Sequence, residues 1–440
     1  MSTTTPTAPP RRTFLQRSGW AALAASGLAA APASRAQASQ AHIVIAGAGM
    51  AGLAIANRLR RQLDGARITL IDAKREHNYQ PGYTLVATGI WPESKVRDLN
   101  QNFIPAGVEW QQDSVIGFEP DTQTVITQGG QRVRYDFLVV ATGLELNYGA
   151  IAGMDVAAIG QHGLGSVYAS PAAAAATWRA MDAFRQRGGT ALMTLPAGPL
   201  KCAGAPLKMT FMVRDRLHQS GTLAQSRVQF LSALAPDTVF GVKVVNDNVL
   251  ARWRDLGIAT RYQQTLTHID IPARQATVTQ ADGTTETLNY DFLHVVPPMR
   301  APAAVRDSAL AWQDGGLRGW LEVDPATLQH RRYPNVFGLG DVNGTPRGKT
   351  AATVKKSVPV VEANLLAALA NQPGTARFDG YTSCPLLVRE GAAMLIEFDY
   401  EGRLTPSIPF VQPLEASYFG WLTKYALLKP AYIAALRGRV

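Results

Sequence analysis

The sequence predicts an α/β fold with two Rossmann-like domains, the second inserted in the first, followed by a C-terminal segment. Two observations carry this prediction. An apolar strand at residues 42–46 leads directly into a glycine fingerprint and a helix, as in nucleotide-binding domains. A hairpin that leads into a buried strand then occurs twice, ending near residue 142 and again near residue 298. This weak internal repeat indicates a second domain of the same type.

Length and composition limit the kinds of protein that this chain can be. The chain has 440 residues, enough for two to three domains, and a formal net charge of +10. No block of Lys and Arg is interleaved with aromatic residues, so we expect no nucleic-acid partner. The moderate positive charge favours anions and an acidic membrane surface.

Residues 1–38 are predicted to be a twin-arginine signal peptide. Arg11 and Arg12 begin the box, an Ala/Leu-rich stretch follows, and residues 36–38 offer a small-residue cleavage site. The twin-arginine route exports folded proteins, which suits a chain that must load a cofactor first. We therefore expect a periplasmic protein.

The first nucleotide site is predicted where strand 42–46 ends. Gly47 and Gly49 permit a tight turn and let the backbone approach a pyrophosphate, and Gly52 lets the following helix pack closely on the strand. Asp72 ends the next strand, about 20 positions later, where an acid is placed to bind a ribose 2′-hydroxyl. Together these features predict a dinucleotide site.

Two later motifs indicate which dinucleotide binds there. Each is a strand that ends in small residues, and the second also ends in a carboxylate. The residues are Ala141, Thr142 and Gly143 in the first motif, and Gly340 and Asp341 in the second. Both motifs resemble the second and third signatures of flavoproteins that have two dinucleotide-binding domains. We therefore predict non-covalent FAD in a discontinuous domain of residues 39–152 and 302–375.

The inserted domain, residues 153–301, lacks the glycine fingerprint that a nicotinamide site needs. Its strand at residues 190–195 is followed by a proline-stiffened loop that contains Cys202. The NAD(P)H site is therefore predicted to have been lost, so the electron donor is another molecule. The chain's second cysteine, Cys384, lies in the region of residues 376–440. A structural disulfide and a redox pair are both compatible with two cysteines in an exported protein.

Several motifs resemble those of the sulfide:quinone oxidoreductase family, nearest its type II branch. They run in register from about residue 42 to the C-terminus and comprise residues 78–86, 201–206, 294–299, 349–352, 379–386 and 397–400. The resemblance implies that hydrogen sulfide is oxidised to sulfane sulfur or polysulfide through a redox disulfide between Cys202 and Cys384. It also implies that two electrons pass through FAD to ubiquinone or another membrane quinone, and that a second nucleophile removes the persulfide. The sequence does not assign the persulfide to either cysteine.

The same resemblance adds residues around the two cysteines and the flavin. Those near sulfide or quinone are Lys201, Lys208, His294 and Lys424, and those that join the FAD set are Lys349 and Thr350. Lys201 and Lys208 flank the cysteine loop, where positive charge favours a thiolate and attracts hydrosulfide. The alternative is a pair of solvated surface lysines, and for His294 it is a satisfied interior histidine. No cluster resembles a metal site.

The C-terminal segment is predicted to contact the membrane. Apolar residues recur there with helical spacing, namely Tyr418, Trp421, Leu422, Tyr425, Leu428, Tyr432 and Leu436, with Lys424, Lys429, Arg437 and Arg439 supplying positive charge. This mixture predicts a helix, interrupted near Pro430, that lies in the interface as a monotopic contact. The enzyme would then be bound to the outer face of the cytoplasmic membrane. A core or dimer helix is the alternative, and homo-oligomerisation stays open.

Three other functions share parts of this pattern. A flavocytochrome-type sulfide dehydrogenase subunit would pass electrons to cytochrome c and should lack the apolar, basic tail. A type II NADH:quinone oxidoreductase would need the NADH fingerprint that is missing here. A non-enzymatic flavin-binding protein would have no use for two cysteines in these loops.

Overall fold

Two parallel five-stranded sheets form the centre of the fold in the computed structural model, which describes residues 36–440. The strands of the first sheet, in spatial order, are Val336–Gly338, Phe137–Val140, His42–Ala46, Arg67–Ile71 and Val108–Gln111. Alternate residues of its central strand enter two different hydrophobic clusters, Ile43 and Ile45 in one and Val44 and Ala46 in the other. Burial on both faces explains the unbroken apolar run in the sequence.

The second sheet is also parallel throughout. Its strands, in spatial order, are Leu164–Gly165, Phe292–His294, Gly189–Leu195, Ser226–Ser232 and Ala259–Arg261. All of them lie in the chain between the strands Phe137–Val140 and Val336–Gly338 of the first sheet. The insertion of one Rossmann-like sheet into the other, predicted from the repeat, is therefore confirmed. The exact domain boundaries stay a prediction.

Each parallel sheet is accompanied by a three-stranded antiparallel sheet. The first contains Val115–Glu119, Thr124–Thr127 and Arg132–Arg134, and the second contains Gln264–Asp270, Gln275–Gln280 and Thr285–Asn289. The predicted hairpins turn at Gly130 and Gly283, which have φ angles of +81° and +85°. Glycine adopts this left-handed conformation without the steric cost that a Cβ atom imposes.

Further strands form three short pairs and one long hairpin. The pairs are Gln37–Ala38 with Leu63–Asp64, Glu76–Asn78 with Arg97–Leu99, and Glu145–Leu146 with Met299–Arg300; the hairpin is Thr382–Arg389 with Ala392–Phe398. Residues 1–35 of the predicted signal peptide lie outside the described residues. Gln37 and Ala38, at its predicted end, form the first of these pairs.

The α-helices lie between the strands along most of the chain, and the last two follow the long hairpin. Their bounds are Met50–Gln62, Tyr83–Val86, Pro171–Arg187, Ala205–Gln219, Lys243–Asp255, Ala303–Arg306, Ala351–Leu369, Tyr418–Leu422 and Leu428–Leu436. We call Ala205–Gln219 the cysteine helix, because it starts just after Cys202. Among the described residues, no helix is both long and apolar enough to cross a bilayer.

The C-terminal segment differs from its prediction in two respects. The helix continues through Pro430, which lies in the first turn of Leu428–Leu436, and the irregular part is a π-helical turn at Thr423–Leu427. Proline lacks the N–H that would donate to the preceding turn, and the π-helical turn directly before it marks the break in the regular hydrogen-bond pattern. In addition, Trp421, Tyr432 and Leu436 are buried in the main core. Only part of the predicted apolar stripe is therefore exposed.

Candidate active site

The loop before the cysteine helix holds Cys202 in a left-handed conformation, with φ of +46°. Four contacts surround this strained backbone. The N–H of Cys202 donates to the carbonyl of Lys349 at 2.9 Å, and its carbonyl accepts from the N–H of Ala205 at 2.7 Å and from the Tyr168 hydroxyl at 3.3 Å. The N–H of Lys201 donates to Met299 Sδ at 3.3 Å. The contact with Lys349 joins the cysteine loop directly to the third FAD motif.

Cys384 reaches the same place from the hairpin Thr382–Arg389. It is 4% exposed, and both cysteines are free thiols in the structure. A Cβ atom added to Gly204 would lie 2.2 Å from Cys384 Sγ, so only glycine lets the hairpin approach the cysteine loop. The Cys384 thiol acts as a hydrogen-bond partner of Cys202. The fold thus brings together two cysteines that are far apart in the sequence.

The two thiols have opposite acidities. The hydrogen bond from Cys384 and the charges of Lys208 and Lys424 hold the pKa of Cys202 well below its usual value, although burial opposes the shift. The pKa of Cys384 is raised well above its usual value by the same hydrogen bond and by burial. Cys202 also lies just before a helix N-terminus, which favours an anion. Cys202 is therefore the thiolate of the pair.

Two buried lysines supply the positive charge. Lys208 is 2% exposed, and its Nζ lies 3.4 Å from Cys202 Sγ. Burial alone would lower the pKa of Lys208, but the charges of Cys202 and Cys384 outweigh burial and raise it. Lys424 is 2% exposed and donates to the Pro81 carbonyl; burial and the charge of Lys208 lower its pKa to about 7. Neither lysine is a surface residue. The alternative interpretation of Lys208 as a solvated surface lysine is therefore excluded.

The other predicted neighbours of the thiols are placed differently. Lys201 is partly buried, donates to Gln80 Oε1 at 2.8 Å, and has a pKa lowered by burial to about 8. His294 is completely buried on the strand Phe292–His294, and burial alone lowers its pKa to about 3. No described residue hydrogen-bonds to either of its ring nitrogens. His294 is thus an interior residue without hydrogen-bond partners among the described residues, and its role near sulfide or quinone stays a prediction.

The carboxyl end of the first sheet has a cradle that fits a dinucleotide. A Cβ atom on Gly52 would lie 1.8 Å from the Gly47 carbonyl oxygen, whereas one on Gly49 would meet nothing within 4 Å. Gly47 therefore packs under the helix, and the space beside Gly49 is open for a phosphate at the helix N-terminus. Asp72 Oδ2 accepts from the N–H of Ala48 at 2.7 Å. This contact ties the acid to the glycine turn, and its ribose contact stays a prediction.

The second and third FAD motifs line the same end of the sheet. Thr142 Oγ1 is buried, and no described residue hydrogen-bonds to it, as expected of an atom that faces a cofactor. It lies between Ala141 and Gly143, whose φ is +71°. Burial raises the pKa of Asp341, in opposition to the charges of Lys349 and Lys201.

Lys349 organises the third motif. Its Nζ donates to the carbonyls of Asp341 and Asn343 at 2.6 and 2.8 Å and lies 3.6 Å from the centre of the Trp320 ring. Burial lowers its pKa to about 7. Thr350 caps the helix Ala351–Leu369 by accepting from the N–H of Thr353. These residues fit a dinucleotide cofactor, and Lys349 joins the motif that would hold it to the cysteine loop.

The inserted domain has a long loop where a nicotinamide site would lie. Nine residues separate the strand Gly189–Leu195 from the cysteine helix, whereas three separate His42–Ala46 from its helix. The extra length carries Cys202 away from the sheet and toward Cys384. Tyr168, which donates to the Cys202 carbonyl, was missed by the sequence analysis because no motif surrounds it. Its pKa is raised well above the usual value, first by burial and then by the charges of both cysteines.

The two Rossmann-like sheets and the glycine cradle of the first define the class of flavoproteins that have two dinucleotide-type domains. Residues 41–180 match the model of the pyridine nucleotide-disulphide oxidoreductase family. The mitochondrial sulfide:quinone oxidoreductase of Mus musculus is 33% identical over 85% of this chain and 81% of its own length. The mitochondrial sulfide:quinone oxidoreductase of Dictyostelium discoideum is 33% identical over 90% of this chain and 86% of its own length. The chain therefore belongs to the sulfide:quinone oxidoreductase family, whose members use FAD.

A solved structure shows the same fold. The sulfide:quinone oxidoreductase of Aquifex aeolicus superposes with a TM-score of 0.73 at 19% identity, covering 92% of each chain. At this identity the likeness concerns the fold alone, and it confirms the predicted arrangement of two Rossmann-like domains.

The predicted location is wrong. Both sequence relatives are mitochondrial enzymes, which points to a mitochondrial location rather than to periplasmic export by the twin-arginine route. The reason for the error lies in composition. An N-terminal segment rich in Arg, Ser and Ala and free of acids is also typical of mitochondrial transit peptides.

Proposed function

We propose that this protein oxidises sulfide with Cys202 and Cys384 as a redox disulfide and passes two electrons through FAD to a quinone. The observation that carries the proposal is the meeting of the two thiols beside two buried lysines. A structural disulfide has no need of Lys208 and Lys424, because burying two ammonium groups is costly unless they meet negative charge. A thiolate supplies that charge.

The unequal acidities of the cysteines suggest the direction of attack. In the oxidised enzyme, hydrosulfide attacks Cys384 Sγ, forming one S–S bond while the bond to Cys202 breaks. Cys202 departs as a thiolate and keeps the electron pair of the broken bond. A thiol of lower pKa is the better leaving group in such an exchange. The persulfide is therefore assigned to Cys384, from which a second nucleophile removes the sulfur.

The two lysines have separate roles in this scheme. Lys208, with its raised pKa, stays protonated and stabilises the departing Cys202 thiolate through the contact at 3.4 Å. Lys424, with a pKa of about 7, is suited to accept the proton that the attacking hydrosulfide loses. Tyr168 positions the reacting loop by holding the Cys202 carbonyl.

FAD, when bound, accepts the electron pair and delivers it to the quinone. The residues that would hold it are those of the three motifs: Gly47, Gly49, Gly52, Asp72, Ala141, Thr142, Gly143, Gly340, Asp341, Lys349 and Thr350. Lys349 contacts the cysteine loop through its carbonyl and the third motif through its ammonium. This one residue would therefore fix the position of the cofactor relative to Cys202.

We also propose that the C-terminal segment contacts the membrane, where a lipid-soluble quinone resides. Support comes from large apolar side chains that are exposed near the helix Tyr418–Leu422. They are Phe410, Tyr418, Phe419, Leu422 and Leu427, with exposures from 39% to 77%. Lys424 does not contribute to this surface, since it is buried beside the thiols. The surface is compatible with a monotopic contact that buries apolar side chains at the interface.

The test is an anaerobic sulfide titration of the FAD-loaded protein, followed by flavin absorbance. We expect bleaching in the wild type and in a control, Ser383→Ala, which alters the same strand. Cys202→Ser and Cys384→Ser should each retain FAD but lose bleaching. Reduction that survives in either cysteine variant would show that the pair is structural. Reoxidation by a soluble ubiquinone analogue is expected, whereas reoxidation by cytochrome c alone would favour the flavocytochrome-type alternative.

A further inference from the structure

A cavity that neither cysteine lines lies between the cysteine helix, the helix Lys243–Asp255 and the hairpin that contains Cys384. Its volume is about 500 Å³, within the usual range for small-molecule sites. The elements around it also carry the active site. Phe211, in its wall, lies one helical turn after Lys208, and Val388 lies four residues after Cys384 on the same strand.

The cavity has an apolar wall and a basic rim. The wall consists of Phe211, Leu256, Val388, Ala392 and Ala416, and the rim contains Arg214, His218, Arg252 and Arg389 together with Asp215 and Asp255. Three guanidinium groups therefore face two carboxylates. This combination of apolar side chains with excess positive charge matches a ligand that has an apolar chain and an anionic head.

Among the described residues, neither Asp215 nor Asp255 forms an ion pair with the arginines that line the cavity. Asp215 Oδ2 already accepts from the N–H of Glu390 at 3.0 Å and from Gln219 Nε2 at 2.9 Å. Arg252 is held by Asn248 Oδ1 at 2.9 Å and by the Leu414 carbonyl at 3.0 Å, both of which are uncharged partners. Its positive charge thus remains available to a ligand.

Arg214 is the residue that most clearly requires a partner. It lines the cavity, and its guanidinium forms no hydrogen bond or ion pair with any described residue; its Nε is in addition shielded from solvent. A buried donor without an acceptor is costly, and the cost is larger for a charged group. Leu256 and Val388 line the same cavity and are only partly buried, so a chain attached to an acceptor at the guanidinium would meet apolar side chains.

We propose that this cavity binds a single-chain anionic amphiphile, with its carboxylate or phosphate at Arg214 and its alkyl chain along Leu256, Val388 and Ala416. The head pairs with the Arg214 guanidinium, which has no partner among the described residues, and Arg252 adds positive charge. A fatty acid and a lysophospholipid both present this chemistry. The proposal concerns a site separate from the cysteine pair and does not depend on the sulfide reaction.

Isothermal titration calorimetry of the FAD-loaded full-length protein tests the proposal with dodecanoate and dodecyl phosphate. Both should bind more tightly than dodecanol, which lacks the charge, and than inorganic phosphate, which lacks the chain. The tighter of the two anions identifies the source of the head group. Shortening dodecanoate to decanoate should weaken binding about fourfold for each buried methylene group removed.

Arg214→Gln should weaken dodecanoate binding roughly tenfold to a hundredfold, the loss expected for one hydrogen bond to a charged group. Arg227→Gln, which removes an exposed arginine elsewhere, is the matched control and should bind normally. If Arg214→Gln fails to fold, judged by FAD content and thermal unfolding, Ala416→Phe instead fills the cavity and should abolish binding. Equal binding of dodecanol, or unchanged binding in a folded Arg214→Gln or Ala416→Phe protein, would overturn the proposal.

Discussion

Replacing Lys208 by methionine should raise the pKa of Cys202 and slow the reduction of the flavin by sulfide. The contact from Lys208 Nζ to Cys202 Sγ is 3.4 Å, and Lys208 is 2% exposed, so solvent screens it little. A hydrogen bond to a charged group contributes about 1.5–3 kcal/mol. At about 1.36 kcal/mol per pKa unit, the expected rise is roughly one to two units.

The charge of Lys424 should offset part of this rise in the pKa of Cys202. Its pKa is lowered to about 7 by burial first and then by the charge of Lys208. Removing Lys208 therefore raises the pKa of Lys424 and keeps its ammonium charged at higher pH, where it continues to stabilise the thiolate. The double variant Lys208→Met/Lys424→Met should consequently shift the pKa of Cys202 by more than the sum of the single shifts.

The assay is the pH dependence of alkylation of the reduced, FAD-loaded protein by iodoacetamide, with the modified cysteine identified by mass spectrometry. Lys355→Met, which removes an exposed lysine, is the control and should leave the profile unchanged. In the wild type Cys202 should react at lower pH than Cys384. An unchanged Cys202 profile in Lys208→Met would refute the assignment of Lys208 as the group that stabilises the thiolate.

Three further predictions concern the surroundings of the site. Tyr168→Phe removes the hydroxyl that holds the cysteine loop, so it should slow flavin reduction by sulfide while FAD content stays normal; a wild-type rate would exclude the positioning role. Gly204→Ala places a Cβ atom 2.2 Å from Cys384 Sγ, so it should hinder formation of the disulfide, measured as two titratable thiols after mild oxidation, where the wild type should show none. Leu427→Ser should weaken flotation with anionic vesicles, whereas the control Ile116→Ser, at an equally exposed apolar residue in another part of the fold, should not.

The sequence by itself determined the features that depend on residue type at short spacing. Gly47 and Gly52 predict their turn because a Cβ atom at either position would clash with the backbone, and Gly49 leaves space for a phosphate; the structure has that turn. The loss of the second glycine fingerprint was equally visible around Cys202, since proline and cysteine replace it within a few residues. Local steric rules decide such features, and they need no knowledge of the rest of the fold.

The N-terminal segment shows how a short pattern can mislead. An arginine pair followed by small apolar residues is compatible with more than one targeting route, because both routes select a basic, acid-free segment. Comparison with mitochondrial relatives, not the pattern itself, decided against export.

Only the tertiary structure decided which side chains surround the sulfurs. The sequence counted Lys424 among the charges of the C-terminal segment, and the family resemblance placed it near sulfide or quinone, but neither says what surrounds its ammonium group. The fold buries Lys424 beside the thiols, and its pKa falls as a result. Tyr168 joins the site for the same reason. The burial of a side chain and the charges around it depend on residues that are distant in the chain. They are therefore determined only by the folded structure.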